Sequence, residues 1–180
     1  MKSILINTNN NKNSNIKPRP KTREKINNIS NDISQNIIQN INNHQFQINI
    51  INKLYLQETF PEKKFIISEL KSKINSYKQQ DIKKTIHEKD NLISFDDVVE
   101  KLVSSKLKCC YCNKNIFILF DKVRDSYQWT LDRLNNLDEH TSQNTIISCL
   151  KCNLERRRKN SEKFKFTKQL ENNIIKIKKL

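Results

Sequence analysis

The segments CCYC at positions 109–112 and CLKC at positions 149–152 decide how this chain folds. Each holds two cysteines separated by two residues, and 36 residues lie between the pairs. A tight turn, or the first turn of a helix, directs both sulfurs of such a pair toward one point, and two pairs complete a tetrahedron. The spacing therefore predicts one structural zinc ion with four ligands: Cys109, Cys112, Cys149 and Cys152.

Other interpretations of these thiols are a set of unrelated buried cysteines or a redox pair. Zinc is favoured because both spacings agree and because paired cysteines inside cells more often hold metal than form disulfides. A chain poor in core material also gains folding energy from a metal crosslink. Cys110 is left over from a complete tetrahedron, so we expect it to be a small packed side chain.

The sequence between the two cysteine pairs predicts a β-hairpin. Apolar and polar residues alternate over 127–134, as in a half-buried strand, and Trp129 is expected to pack beneath the hairpin. Residues 135–139 are typical of a turn or loop, and 145–147 of a second short strand. The second cysteine pair then opens a helix that we expect to run from 149 to about 160. These elements form a zinc-stabilised ββα unit of treble-clef type.

The sequence before the cysteines predicts an α+β protein in three parts. Residues 1–25 are rich in asparagine and basic residues and are expected to be disordered. Helical spacing of isoleucines predicts a helical extension over 26–90. The zinc domain is assigned to 94–180, where Ser94 followed by Asp97 resembles a helix capping arrangement.

Composition restricts the function classes. The chain carries a formal charge of +15, which attracts polyanions and makes nucleic acid the expected partner; a basic surface kept for solubility and a membrane-surface segment are the alternatives. The absence of glycine disfavours glycine-rich phosphate loops and hence ATP- and NAD-dependent chemistry. No apolar run approaches the roughly 18 residues that span a bilayer, so we expect a soluble, intracellular protein with no membrane partner.

A basic run follows the second cysteine pair. Consecutive residues point around a helix, so these four side chains cannot share one face, but two or three could bind phosphates. The alternative is a solvated polar face. The predicted nucleic-acid-binding residues are Arg156, Arg157, Arg158 and Lys159.

Taken together, these motifs resemble the HNH endonuclease family, in particular its zinc-containing members from phages and large DNA viruses. The resemblance is carried by CCYC at 109–112, WTLDRL at 129–134, the His140 to Asn144 spacing, and CLKCN at 149–153 followed by arginines. It covers roughly residues 94 to 170. It implies an HNH-like ββα-metal fold, DNA as the partner, and, for a viral protein, a location in the host nucleus or cytoplasm.

The resemblance also implies roles for individual residues. Asp132 matches the strand aspartate that helps to hold a catalytic divalent metal, and Asn153 matches the last residue of that metal site. Both offer oxygen, which Mg²⁺ or Mn²⁺ prefers. Asn144 matches the central asparagine that orients the active-site loop. A capping or turn-stabilising role is the alternative for Asp132 and Asn144.

Arg133 departs from the family pattern, which has a histidine general base at this position. An arginine stays protonated at physiological pH and cannot act as a base. Either His140 has taken over proton transfer, or Arg133 stabilises the phosphate while a metal-bound hydroxide attacks. A loop histidine that only hydrogen-bonds the hairpin is the alternative for His140.

The leading hypothesis is a metal-dependent DNA endonuclease or nickase of the HNH type. A zinc-dependent nucleic-acid-binding module without catalysis is the rival, because of Arg133. A third hypothesis is an interaction protein whose helical first half binds another polypeptide.

Overall fold

The computed structural model describes residues 31–87 and 91–177, so the tail predicted to be disordered at 1–25 lies outside it. Within those ranges the chain is a mixed α+β protein with six helices and one two-stranded sheet, in agreement with the expected class. None of these helices combines the length and the apolar character needed to cross a membrane.

Three helices make up the first part of the described chain: α1 (Asn31–Asn40), α2 (His44–Tyr55) and α3 (Lys63–Lys83). Asn43 caps α2 by accepting a hydrogen bond from the amide of Phe46. Their inward faces are mostly isoleucine and leucine at helical spacing, and each packs into the core. The described part of the predicted helical extension, 31–87, thus contains three packed helices.

Helix α4 (Phe95–Ser104) begins at the predicted cap. The Ser94 side chain accepts from the Asp97 amide, and the Asp97 carboxylate accepts from the Ser94 amide, which completes a capping box. After the helix the backbone turns through Lys106 and Leu107, with φ of 50° and 48°. This left-handed turn reverses the chain toward the first cysteine pair.

Strands β1 (Trp129–Arg133) and β2 (Thr145–Cys149) form the antiparallel hairpin. Trp129 pairs with Cys149 and Leu131 with Ile147, so β2 is two residues longer than predicted. All of β1 is buried, whereas a half-buried strand was expected. The reason is that both faces of the hairpin are covered. Helix α3 covers one face, and the first cysteine segment together with the helix that begins at Leu150 covers the other.

The helix predicted from 149 to about 160 ends earlier, as α5 (Leu150–Arg156), and a second helix, α6 (Ser161–Ile177), begins just beyond the predicted range. Helix α5 stops where Arg157 adopts a positive φ of 54°. The Asn160 side chain then accepts from the amides of Glu162 and Lys163, which starts a new helix. The basic run therefore lies across a turn.

One hydrophobic core runs through both the helical part and the hairpin. Gln47 of α2 is fully buried within this core and joins the helices to the segment that precedes β1. Its Nε2 donates to the carbonyls of Ile41 and Leu119, and its Oε1 accepts from the amides of Ile118 and Leu119, at 2.6 to 3.0 Å. The helices and the cysteine region consequently pack as one body.

Candidate metal centre

The four predicted ligands converge. The sulfurs of Cys109, Cys112, Cys149 and Cys152 all lie within 4.8 Å of one another, close enough to hold a metal ion such as zinc. The Cys112 and Cys149 sulfurs are 3.9 Å apart. Tetrahedral bonds of about 2.3 Å to zinc place sulfurs about 3.8 Å apart, whereas a disulfide requires about 2.05 Å.

Backbone geometry fixes the direction of each cysteine pair. The Cys109 amide donates to Lys114 O and the Asn113 amide to Cys109 O, both at 2.9 Å, which closes a tight turn around the first pair. Asn113 holds a φ of 55°, a region that asparagine tolerates and that glycine, absent from this chain, would otherwise fill. In the second pair, Cys149 caps α5, its sulfur accepting from the Cys152 amide at 3.3 Å.

The close approach of the sulfurs couples the protons of the cluster. Hydrogen bonds from the neighbouring thiols lower the pKa of the Cys109 thiol, and the same contacts raise the pKa of Cys152 and of Cys110. A thiolate is the form of cysteine that binds zinc, so the cluster must lose protons to hold the metal.

Asp132 lies beside this centre in a closed environment. Its side chain is 4% exposed and accepts from Arg156 Nε at 2.6 Å, Arg156 Nη2 at 2.8 Å and the Tyr111 hydroxyl at 2.7 Å. The two arginine bonds form a bidentate ion pair, the strongest arrangement of these groups. This carboxylate therefore presents no open oxygen to a catalytic cation, and it does not fit the predicted role of metal ligand as it stands.

Arg156 differs from the rest of the predicted phosphate-binding run. It is 1% exposed and, besides Asp132, donates to the carbonyls of Arg133 and Lys159. Its guanidinium is used inside the protein, so it is not available to a phosphate. Nothing in the sequence of the four basic residues distinguishes this buried arginine from the three exposed residues that follow it.

Asn153 lies on α5, across from the hairpin. Its Nδ2 donates to Thr130 Oγ1 at 3.2 Å and to Leu131 O at 3.3 Å. Because alternate residues of a strand share a face, Thr130 and Asp132 project to the same side of β1. Asn153 and Asp132 therefore belong to the same side of the hairpin as the cysteine cluster.

Arg133 and His140 lie on the opposite side of β1, against α3. Both are buried and both contact Asp81, whose carboxylate has no exposed surface. His140 Nδ1 is 2.8 Å from each Asp81 oxygen, and the His140 amide donates to Asp81 Oδ2 at 2.9 Å. Since a carboxylate only accepts, Nδ1 carries the proton. Burial, outweighing the contact with Asp81, lowers the pKa of His140.

Asn144 holds the loop between the strands. Its Oδ1 accepts from the Asn135 amide at 2.8 Å, and its Nδ2 donates to the carbonyls of Asn135 and Glu139. These bonds join the two ends of the loop. The side chain thus orients loop residues, as either of its expected roles would require.

The predicted catalytic residues are consequently divided between two sides of β1, with Asp132 and Asn153 on one and Arg133 and His140 on the other. Asp81 was not identified from the sequence, although it continues the inward face of α3 that contains Ile66, Leu70, Ile74 and Tyr77. An acid at the next core-facing position was the available signal. Tyr111, inside the first cysteine segment, was also missed.

A basic surface lies at the turn between α5 and α6. We define it as Arg157, Arg158, Lys159 and Lys163, all exposed. The pKa of nearby Lys84 is lowered by partial burial and by the charges of Arg133 and Arg158, whereas Asp81 acts in the opposite direction.

Lys168, the next lysine but one along α6, is neutralised instead. It pairs with Glu155 at 2.8 Å and Glu171 at 2.9 Å. Its acidic partners therefore set Lys168 apart from the basic surface.

Comparison with known proteins adds no relative: no family model, no curated protein and no solved structure matches this chain.

Proposed function

We propose that this protein is a zinc-stabilised nucleic-acid-binding module. The observation that carries the proposal is the basic surface, which stands directly after the helix that supplies two of the four clustered cysteines. Zinc at the cysteine cluster would hold α5 against the hairpin, and α5 in turn sets the position of the turn with its exposed arginines. The metal would act as a structural crosslink.

Charge arrangement supports a polyanionic partner. From residue 156 to residue 168 the chain has seven Lys or Arg residues and a single acid, Glu162. Arg156 and Lys168 are neutralised by carboxylates, but the four residues of the basic surface are exposed and have no carboxylate partner among the described residues. Arginine binds phosphate in a bidentate manner and suits this role.

A salt titration of DNA binding tests the proposal. Full-length, zinc-loaded protein is titrated into fluorescein-labelled duplex DNA at several salt concentrations, and anisotropy gives the affinity. The expected result is an affinity that falls steeply with salt, and a slope of log K against log[salt] that becomes shallower by about 2 to 3 in the variant Arg157→Ala, Arg158→Ala, Lys159→Ala.

The matched control removes three exposed lysines elsewhere: Lys53, Lys64 and Lys122. This variant should keep the wild-type slope, because its three lysines lie outside the basic surface. Both triple variants lose the same net charge, so a difference between them reports where the charge lies. Equal losses in the two variants, or no binding by the wild type, would contradict the proposal.

A second candidate is the metal-dependent DNA endonuclease or nickase of HNH type. It is favoured by the contact between Asp81 and His140, because protonation of Nδ1 leaves Nε2 as a proton acceptor, the usual arrangement of a histidine general base. The closed pairing of Asp132 with Arg156 weighs against it. A metal ion at Asp132 and Asn153 would require Arg156 to move away.

Plasmid nicking in Mg²⁺ or Mn²⁺ decides between the two. The nuclease hypothesis expects nicking by the wild type that is lost in His140→Gln, with zinc content and DNA affinity retained. The binding hypothesis expects DNA binding with no nicking by either protein. Nicking that persists in His140→Gln would reject His140 as the base.

A further inference from the structure

The loop between β1 and β2 presents an apolar side chain to solvent. Leu137, near its tip, is 80% exposed, more than any other large hydrophobic residue in the described part of the chain. We propose that Leu137 is a wedge that inserts between stacked base pairs of double-stranded DNA bound by the basic surface. The inference rests on the proposed function and specifies its ligand as duplex DNA that can be kinked.

Hydrogen bonds hold the loop in a fixed shape. Asn135 Oδ1 accepts from the Leu137 amide at 3.1 Å, and Asn135 Nδ2 donates to Asp138 Oδ2 at 2.6 Å. The Asp138 carbonyl accepts from Arg133 Nη1 at 2.9 Å, which ties the loop to a buried residue of β1. A leucine on a rigid support loses little freedom on binding, so insertion is favoured over the same contact from a flexible loop.

The loop is also joined to the basic surface. Asn136 Nδ2 donates to the Arg157 carbonyl at 3.2 Å, and Asn136 Oδ1 accepts from Arg156 Nη2 at 3.2 Å. Leu137 follows Asn136 directly, so the apolar tip and the exposed arginines are held side by side. Phosphates gripped by Arg157 and Arg158 would bring the base stack against Leu137.

Duplex DNA fits this arrangement better than a single strand. Proteins that bind single strands stack unpaired bases on aromatic rings, and Leu137 offers no ring. Aliphatic side chains inserted into a duplex instead unstack one base step and bend the helix, and the bend brings more phosphates to the protein. Pyrimidine–purine steps deform most easily, so we expect a preference for them.

The Asp138 carboxylate beside Leu137 accepts a hydrogen bond from Asn135 Nδ2 within the loop.

The test uses a duplex of about 30 base pairs with a central TA step, 2-aminopurine at that step and a dye pair at the ends. Full-length, zinc-loaded protein should raise 2-aminopurine fluorescence and the energy transfer between the dyes. Leu137→Ala should bind about tenfold more weakly and produce neither signal. The control Leu56→Ala, at a site 65% exposed after α2, should behave as the wild type.

Each outcome has one meaning. Wild-type binding without unstacking or bending overturns the wedge and leaves the binding function standing, as does bending retained by Leu137→Ala. Tighter binding to a single strand of the same sequence also overturns the wedge. The absence of any DNA binding overturns both proposals. Contact with a protein partner would then be the remaining explanation for the exposed leucine.

Discussion

At the scale of single residues, the deciding features are buried charges that the sequence presents as surface groups. Asp132 and Arg156 form a bidentate pair beside the cysteine cluster, and Asp81 contacts His140 on the other side of the hairpin. A charge removed from water is strongly destabilising unless its partner is present. Both pairs therefore couple local chemistry to the stability of the fold.

Removing the ion pair between Asp132 and Arg156 should make the protein easier to unfold. Asp132→Asn leaves the buried guanidinium of Arg156 without its counter-charge, so we expect a loss of about 3 to 5 kcal/mol in the free energy of unfolding, measured by urea denaturation of the zinc-loaded protein. Glu155→Gln, which weakens the partly exposed pair with Lys168, should lose less than about 1 kcal/mol. Equal effects would show that Asp132 is not paired and would restore it as an open metal ligand.

His140 should make stability depend on pH in one direction. Its folded pKa is lowered by burial, so the unfolded state takes up a proton more readily, starting near its ordinary value of about 6.5. The contribution of neutral His140 is complete above that pH and is lost as pH falls below it, with a limiting slope of about 1.4 kcal/mol per pH unit.

His140→Asn keeps a donor toward Asp81 but does not titrate, so it should remove that slope. Urea unfolding of both proteins between pH 5 and 8 measures the difference. Release of metal as thiols protonate affects both curves alike and cancels. Parallel curves would contradict a buried, neutral His140.

At the scale of elements, the sequence predicted what depends on local pattern and missed what depends on contacts between elements. The cysteine spacing, the alternation before Arg133 and the Ser94 cap each predicted an element that the structure contains. The break at Arg157 was missed because a run of good helix formers gives no local sign that the chain must turn to bury Arg156.

The burial of β1 on both faces was missed for a related reason. Alternation of apolar and polar residues predicts a polar face toward water, but Thr130 and Asp132 have partners on β2, α5 and the cysteine segment. Which distant element supplies a partner is set by tertiary packing, and no pattern within the strand contains that information.

Gln47 should act as a structural link between the helical part and the hairpin region. Gln47→Leu removes the partner of the Ile118 amide and of the Leu119 amide and carbonyl, so we expect a loss of about 3 kcal/mol or more in the free energy of unfolding. Gln45→Leu is the matched control, because Gln45 is exposed and its side chain bonds to Asn49 on the same helix. Similar stabilities in urea for the two variants would contradict the link.

At the scale of the whole molecule, one core and one cysteine cluster hold together elements that are weak alone. A two-stranded sheet is marginal in water, and the hairpin is covered on both faces only because α3 and α5 are brought to it. The four cysteines connect the segment after α4 to the start of α5. Metal bound there would crosslink both ends of the hairpin.

Removal of the metal should therefore unfold more than the hairpin. Because the core is continuous with α1 to α3, we expect chelation to reduce helical circular dichroism together with tryptophan fluorescence from Trp129, in one transition that added Zn²⁺ reverses. Cys152→Ser should reproduce the loss of both signals. Cys110→Ser, which leaves the four clustered cysteines intact, should not. Loss of the hairpin signal alone would show two independent units.

The zinc K-edge absorption spectrum of the purified full-length protein tests the metal centre most directly. A single zinc per chain surrounded by four sulfurs at about 2.3 Å is the predicted result. A protein purified without zinc, or a first shell that mixes sulfur with nitrogen or oxygen ligands, would contradict a centre built from Cys109, Cys112, Cys149 and Cys152.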